Sequence, residues 1–146
     1  MKKYELYLRE EASWDTDNER LLLDSEAVHE FAKQQLQIQS WDREKFVIVA
    51  LNCKNKVIGY NIAAVGNVNN VMVDPREVLK FLLLANAAFA IVIHNHPSGE
   101  VTPSKDDIDT TARLKAALNL VNIGLVDHVI FGDYGYFSMG SAGMLN

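Results

Sequence analysis

Phe89-Ala90-Ile91-Val92-Ile93-His94-Asn95-His96-Pro97-Ser98-Gly99-Glu100-Val101-Thr102-Pro103-Ser104-Lys105-Asp106-Asp107 is the stretch whose reading decides the fold. Phe89–Ile93 is short and wholly apolar, as expected of a central strand covered on both faces, and His94 sits at its end. Asn95–Pro103 contains Pro97, Pro103 and Gly99, so it reads as a loop. Ser104 then opens a helix that runs to about Val121, with Gly124 as its stop.

Upstream, Asp74-Pro75 resembles a cap followed by proline in the first helical turn, leading into Val78, Leu79, Leu82, Leu83 and Ala85 as a well-buried helix. Phe46–Leu51 and Val57–Val65 are rich in β-branched and apolar residues, and Asn52–Lys56 between them has turn character, which predicts a hairpin. Asp24 or Ser25 can cap an earlier helix, ending near Ser40, whose Val28, Phe31, Ala32 and Leu36 recur at helical spacing. Residues 3–9 alternate loosely, with Tyr4, Leu6 and Leu8 on one side, and are expected to form an edge strand. Downstream, Leu125–Phe131 reads as a strand that turns at Gly132–Gly135 into a short return at Tyr136–Ser138. No internal repeat, low-complexity tract or linker is visible. The division expected is a 1–23 extension packed on a single domain of residues 24–146.

A chain of 146 residues that is 49% hydrophobic and 23% charged has the composition of one folded globular domain and not of a disordered segment. Its net charge of −5 offers no extended phosphate-binding surface, so nucleic acid is left as a partner that charge does not support. Cys53 is the sole cysteine. That excludes an internal disulfide framework and any multi-cysteine zinc site, and suits a reducing cytoplasm. The opening Met-Lys-Lys-Tyr-Glu-Leu lacks an apolar signal core, and no apolar run is long enough to cross a bilayer. A cytoplasmic protein without membrane contact is expected; a homo-oligomer is left open.

His94 and His96 are two apart at a strand end, so in extended geometry both side chains leave the same face and can converge on one ion. Asp107 follows in the first turn of the next helix, and the compact loop would fold that helix start back over the strand end. Two imidazoles and a carboxylate, with a fourth position left to water, are the ligand set of a catalytic zinc site. Plainer readings stand beside this one. Strand-end histidines are often polar caps, and Ser104-x-x-Asp107 fits a capping box. His29 lies on the polar side of the first helix and reads as solvated. His128 reads as a hydrogen-bonded structural histidine, and Cys53 as a surface thiol.

The run His94-Asn95-His96-Pro97, six residues, then Ser104-x-x-Asp107 resembles the JAMM signature, and its His-Asn-His-Pro-Ser-Gly form is similar to the RadC-like branch of the MPN domains. Asp74-Pro75-Arg76-Glu77-Val78 and Asp127-His128-Val129-Ile130 extend the likeness, which covers about Asp24 to Met139. Full-length RadC proteins resemble this chain only in their C-terminal part. Members often carry His-Pro-Arg-Glu where Asp74–Glu77 stands here, a change expected to alter helix capping more than chemistry. The resemblance implies an α/β fold, a mixed, mainly antiparallel sheet flanked by helices, with a cytidine-deaminase-like architecture. It also implies an upstream glutamate at a strand start, a place taken here by Glu44 in Arg43-Glu44-Lys45-Phe46-Val47. Without the resemblance, Glu44 reads as a solvated strand-edge charge. Glu30, Glu77 and Glu100 have no comparable placement.

The function so implied is hydrolysis of a peptide or isopeptide bond. Zn2+ would lie on His94, His96 and Asp107 and lower the pKa of its water to about 7. Glu44 would act as general base, and Ser104 would help stabilise the oxyanion. Two other classes compete: a metal-dependent nuclease, which the acidic balance disfavours, and a zinc-stabilised, DNA-repair-associated interaction module, which Glu44 disfavours. A zinc deaminase is excluded because its His-x-Glu and Cys-x-x-Cys elements are missing.

Overall fold

The computed structural model describes residues 1–11, 21–22, 24–66 and 73–146. Five strands form one sheet: β1 (Lys45–Leu51), β2 (Val57–Val65), β3 (Phe89–Asn95), β4 (Gly124–Gly132) and β5 (Gly135–Ser138), in the order β2-β1-β3-β4-β5. All neighbours are antiparallel except β3 and β4. Parallel neighbours need a long crossover, supplied here by α3 (Lys105–Leu120). The mixed, mainly antiparallel α/β sheet is therefore the observed architecture.

The two faces of the sheet bury separate cores. Val47, Val49, Ile91, Ile93 and Val129 point to one side, against Val28 and Phe31 of α1 (Ser25–Phe31). Phe46, Ile48, Ala90 and Val92 alternate to the other side, where they meet Val78 and Leu82 of α2 (Pro75–Leu84) and Leu114 and Leu118 of α3. With β3 covered on both faces, its apolar run needs no polar alternation. Loss of one of these leucines, Leu114→Ala for instance, is worth about 2–5 kcal/mol. By the same alternation His94 projects from the α3 side of the sheet, next to Phe46, whose ring stacks on it at a centroid distance of 5.7 Å.

The caps follow the sequence closely. Asp74 caps α2, its side chain accepting from Arg76 N at 2.9 Å, with Pro75 opening the helix. Asp24 caps α1 by accepting from Ala27 N at 2.8 Å.

Three expectations need correction. Residues 3–9 form no strand: Tyr4 and Leu6 are 75% and 81% exposed, and alternation cannot make a strand without a neighbour to pair with. Among the described residues before α1, Leu22 is buried in the core, its N–H donating to Asn55 O at 3.1 Å, and residues 1–11 are exposed; the rest of the expected 1–23 extension lies largely outside the described residues. The first helix does not run evenly to Ser40. It widens into a π-helical turn over Ala32–Leu36, then breaks at Gln37, which takes a left-handed conformation (φ 51°). Gly124 is not the stop of α3. Asn122 supplies the left-handed residue (φ 57°), whereas Gly124 opens β4, where a Cβ would crowd the Phe89 ring at 2.8 Å. Asparagine tolerates that region because its short side chain bonds locally.

Candidate metal centre

β3 leads out of the sheet core at His94, and the chain then turns sharply. His96 N donates to Phe131 O at 2.8 Å, continuing the β3–β4 pairing by one residue, and Gly99 N closes a turn on His96 O at 2.9 Å. Gly99 has φ +83°, and Gly132 passes so near it that a Cβ on Gly132 would collide with the Gly99 carbonyl. This contact folds the loop over the end of β4 and returns the start of α3 to the end of β3.

Ser104 and Asp107 form a full capping box. Asp107 N donates to Ser104 Oγ at 3.1 Å, and Ser104 N donates to Asp107 Oδ2 at 2.6 Å. The capping reading is thus borne out, and the bond to Ser104 N also orients the carboxylate toward the histidines. Asp107 Oδ1 lies 3.3 Å from His94 Nε2, and Oδ2 lies 3.2 Å from His96 Nε2. The two Nε2 atoms are 2.8 Å apart. Glu44, just before β1, places Oε1 3.8 Å from His94 Nε2. The structure therefore brings Glu44, His94, His96 and Asp107 together, with one ligand atom from each within 4.8 Å of the others.

Ser104 is not in that group; its hydroxyl oxygen is at the cap. Glu77 pairs with Lys80 on α2, Glu30 lies on α1 beside Lys33, and Glu100 contributes only its carbonyl, which faces His96 Nδ1 at 2.7 Å.

The donor set fits a divalent metal. Two carboxylates oppose its charge, and both imidazoles turn Nε2 inward while Nδ1 is engaged elsewhere: His96 with Glu100 O, His94 with His128 Nε2 at 2.6 Å. Bonds of 2.0–2.1 Å in tetrahedral geometry separate ligand atoms by about 3.3–3.4 Å, close to the two carboxylate–imidazole separations. The histidine pair would have to part by about half an ångström.

Without metal these groups perturb one another. The hydrogen bond that His96 donates to Asp107, against burial, raises His96 above its ordinary value, with the Glu100 carbonyl and the charges of Asp107 and Glu44 adding to the rise. Burial would raise Asp107, but hydrogen bonds from His94 and His96, the His94 charge and the bond from Ser104 hold it far below the usual carboxylate range. Burial raises Glu44, only partly offset by the two histidines. His128 is fully buried, and desolvation holds it well below a free imidazole.

Thr111 and Asn95 escaped the sequence reading, whereas His128 is the hydrogen-bonded structural histidine expected of it. His128 lies within β4 against His94 and Thr111, and Thr111 belongs to α3. Asn95, between His94 and His96, reaches back to the main chain around Glu44. A polar residue between two candidate ligands was the one available signal. His29 is also corrected: it is half-buried, its ring lying 4.7 Å from Tyr136 and 5.8 Å from Phe131, and its Nδ1 is buried without a hydrogen-bond partner. Its neighbours Glu26 and Glu30 are 3.9 Å away. Cys53 is exposed, as expected. Among the described residues no helix is long and apolar enough to cross a membrane.

Comparison with known proteins identifies the family. A family model described as RadC-like JAB domain matches residues 22–144. A UPF0758 protein of Rubrobacter xylanophilus is 47% identical over 108 residues, covering 74% of this chain and 47% of that protein. UPF0758 proteins of Desulfitobacterium hafniense and Staphylococcus haemolyticus are 44% and 46% identical, covering 71% and 69% of this chain and 46% and 44% of their own lengths. The chain thus spans a little under half the length of these relatives. By the match over residues 22–144 it belongs to the RadC-like JAB domain family.

Proposed function

We propose that the chain is a zinc-dependent hydrolase, and specifically a metallopeptidase or isopeptidase working in the cytoplasm. His94, His96 and Asp107 hold the ion, leaving one position open. Bound there, zinc would supply Lewis acidity, bringing the pKa of a coordinated water to about 7 and polarising a carbonyl.

The observation that carries the reading is Glu44, whose carboxylate stands 3.8 Å from His94 Nε2, gathered with His94, His96 and Asp107. A base that must take a proton near neutral pH works best with a raised pKa. Partial burial raises Glu44 in that direction. It takes a proton from the attacking water and returns it to the leaving amine. Ser104, whose oxygen accepts the cap bond, keeps its hydroxyl proton for the oxyanion of the substrate. His96 and His94 are held by bonds at Nδ1, and the Gly99–Gly132 contact fixes the loop between them and Asp107. The net charge of −5 favours a peptide over a nucleic-acid substrate.

The test is Glu44→Gln in zinc-loaded protein, assayed against a peptide and isopeptide library. Glutamine keeps the size but accepts no proton, so zinc and fold are retained while cleavage falls by about 10²–10⁴-fold. Cleavage at the wild-type rate makes Glu44 a surface charge and overturns the mechanism.

A further inference from the structure

We infer that His128 and Thr111 are positioning residues that decide which nitrogen of His94 faces the metal centre. The inference rests on the metal-binding part of the function proposed above.

Three short contacts run in series through the buried interior. Thr111 Oγ1 lies 2.5 Å from the main-chain carbonyl oxygen of Asp107 and 2.6 Å from His128 Nδ1, and His128 Nε2 lies 2.6 Å from His94 Nδ1. A carbonyl oxygen can only accept, so the hydroxyl proton of Thr111 must go to Asp107; the Met139 sulfur at 3.6 Å is a far weaker acceptor. Were the proton turned to His128 instead, two oxygens would face each other at 2.5 Å with nothing between them. Thr111 therefore accepts, and His128 Nδ1 carries hydrogen. With no exposed surface, His128 stays neutral, since a buried imidazolium would have no counter-charge in contact. Its Nε2 is then a bare acceptor, His94 Nδ1 must donate to it, and in zinc-loaded protein His94 Nε2 is the nitrogen left to offer a lone pair to the ion.

The series begins and ends on the same residue. The Asp107 carbonyl starts it, and the Asp107 carboxylate meets His94 Nε2 at 3.3 Å. The first turn of α3, the middle of β4 and the end of β3 are thereby locked in register around the ion. Either reversal, of Thr111 or of His128, would turn a hydrogen of His94 into the centre and remove a ligand.

Two measurements on the full chain test the inference, neither needing a substrate. In zinc-loaded protein labelled with 15N-histidine, long-range 1H–15N spectra should show His128 protonated at Nδ1 and bare at Nε2, and His94 protonated at Nδ1. The opposite tautomer of His128 overturns the inference in the wild-type protein, with no variant required. Zinc affinity by chelator competition is the second measurement. Thr111→Val keeps the volume but removes the acceptor, and His128→Phe keeps a ring but no nitrogen; each should weaken zinc by about 10–100-fold, the usual cost of losing a partner of a metal-bound imidazole. If His128→Phe does not fold, Thr111→Val and the wild-type spectrum decide. Folded variants that bind zinc like the wild type overturn the inference alone. A wild type that takes up no zinc overturns the proposed function with it.

Discussion

Asn95 straddles Glu44: its side-chain Nδ2 donates to Arg43 O at 2.9 Å, and its Oδ1 accepts from Lys45 N, also at 2.9 Å. The residue between the two candidate ligand histidines thus holds the main chain on both sides of the glutamate. Because Asn95 is buried, Asn95→Ala leaves a donor and an acceptor without their partner, at a cost of about 1–3 kcal/mol. The zinc content should stay at the wild-type value while hydrolysis falls, since the base loses its anchor and the ligands do not. Thermal melting, elemental analysis and a rate measurement together check this. An unchanged rate would mean that strand pairing alone places Glu44.

The ligand trio should carry about one equivalent of zinc after reconstitution. A His94→Ala, His96→Ala double variant should lose it. Elemental analysis that finds full zinc in the double variant removes the assignment.

Ser104 and Asp107 share a helix turn but differ in role. Asp107→Asn should weaken zinc binding, because an amide replaces the anionic oxygens that face both histidines. Ser104→Ala should keep the metal, lose turnover, and cost about 1 kcal/mol from the missing cap. Equal zinc affinity in Asp107→Asn and wild type would leave Asp107 a capping residue only.

The stability of the protein should respond to pH in opposite senses with and without zinc. In the zinc-free protein the Asp107 hydrogen bond raises His96 above 6.5, so the folded state binds its proton more tightly than the unfolded state does. That contribution is fully present below pH 6.5 and is lost as pH rises through the raised value. Asp107 has the reverse sign: its contribution is present above the ordinary carboxylate value of 3.8 and is lost as pH falls. Melting of the zinc-free protein should therefore decline above pH 6.5. In zinc-loaded protein the same loss of the His96 proton frees a ligand, so melting and zinc affinity should rise over that window. Parallel pH trends in the two forms would show that His96 is not displaced by the metal.

What the sequence determined by itself was local. The β3–loop–α3 unit was legible because an apolar run, two prolines and a capping box act within a few residues, and side-chain alternation on β3 put His94 and His96 on one face before any contact was known. The hairpin and the cap of α2 were readable for the same reason. Tertiary structure decided the rest. The spacing of residues 3–9 could not say whether a neighbouring strand would pair with them, and among the described residues none does. Gly124 looked like a helix stop, but close packing against Phe89 explains it. Glu44 entered through family resemblance, because its approach to His94 depends on β1 lying antiparallel to β3, with Phe46 opposite His94. His128 lies 34 residues from His94 in the chain, yet the parallel pairing of β3 and β4 sets their rings 2.6 Å apart, nitrogen to nitrogen. Such contacts arise from strand register and helix docking, which integrate packing over the whole domain, whereas caps, turns and alternation are settled by neighbours along the chain.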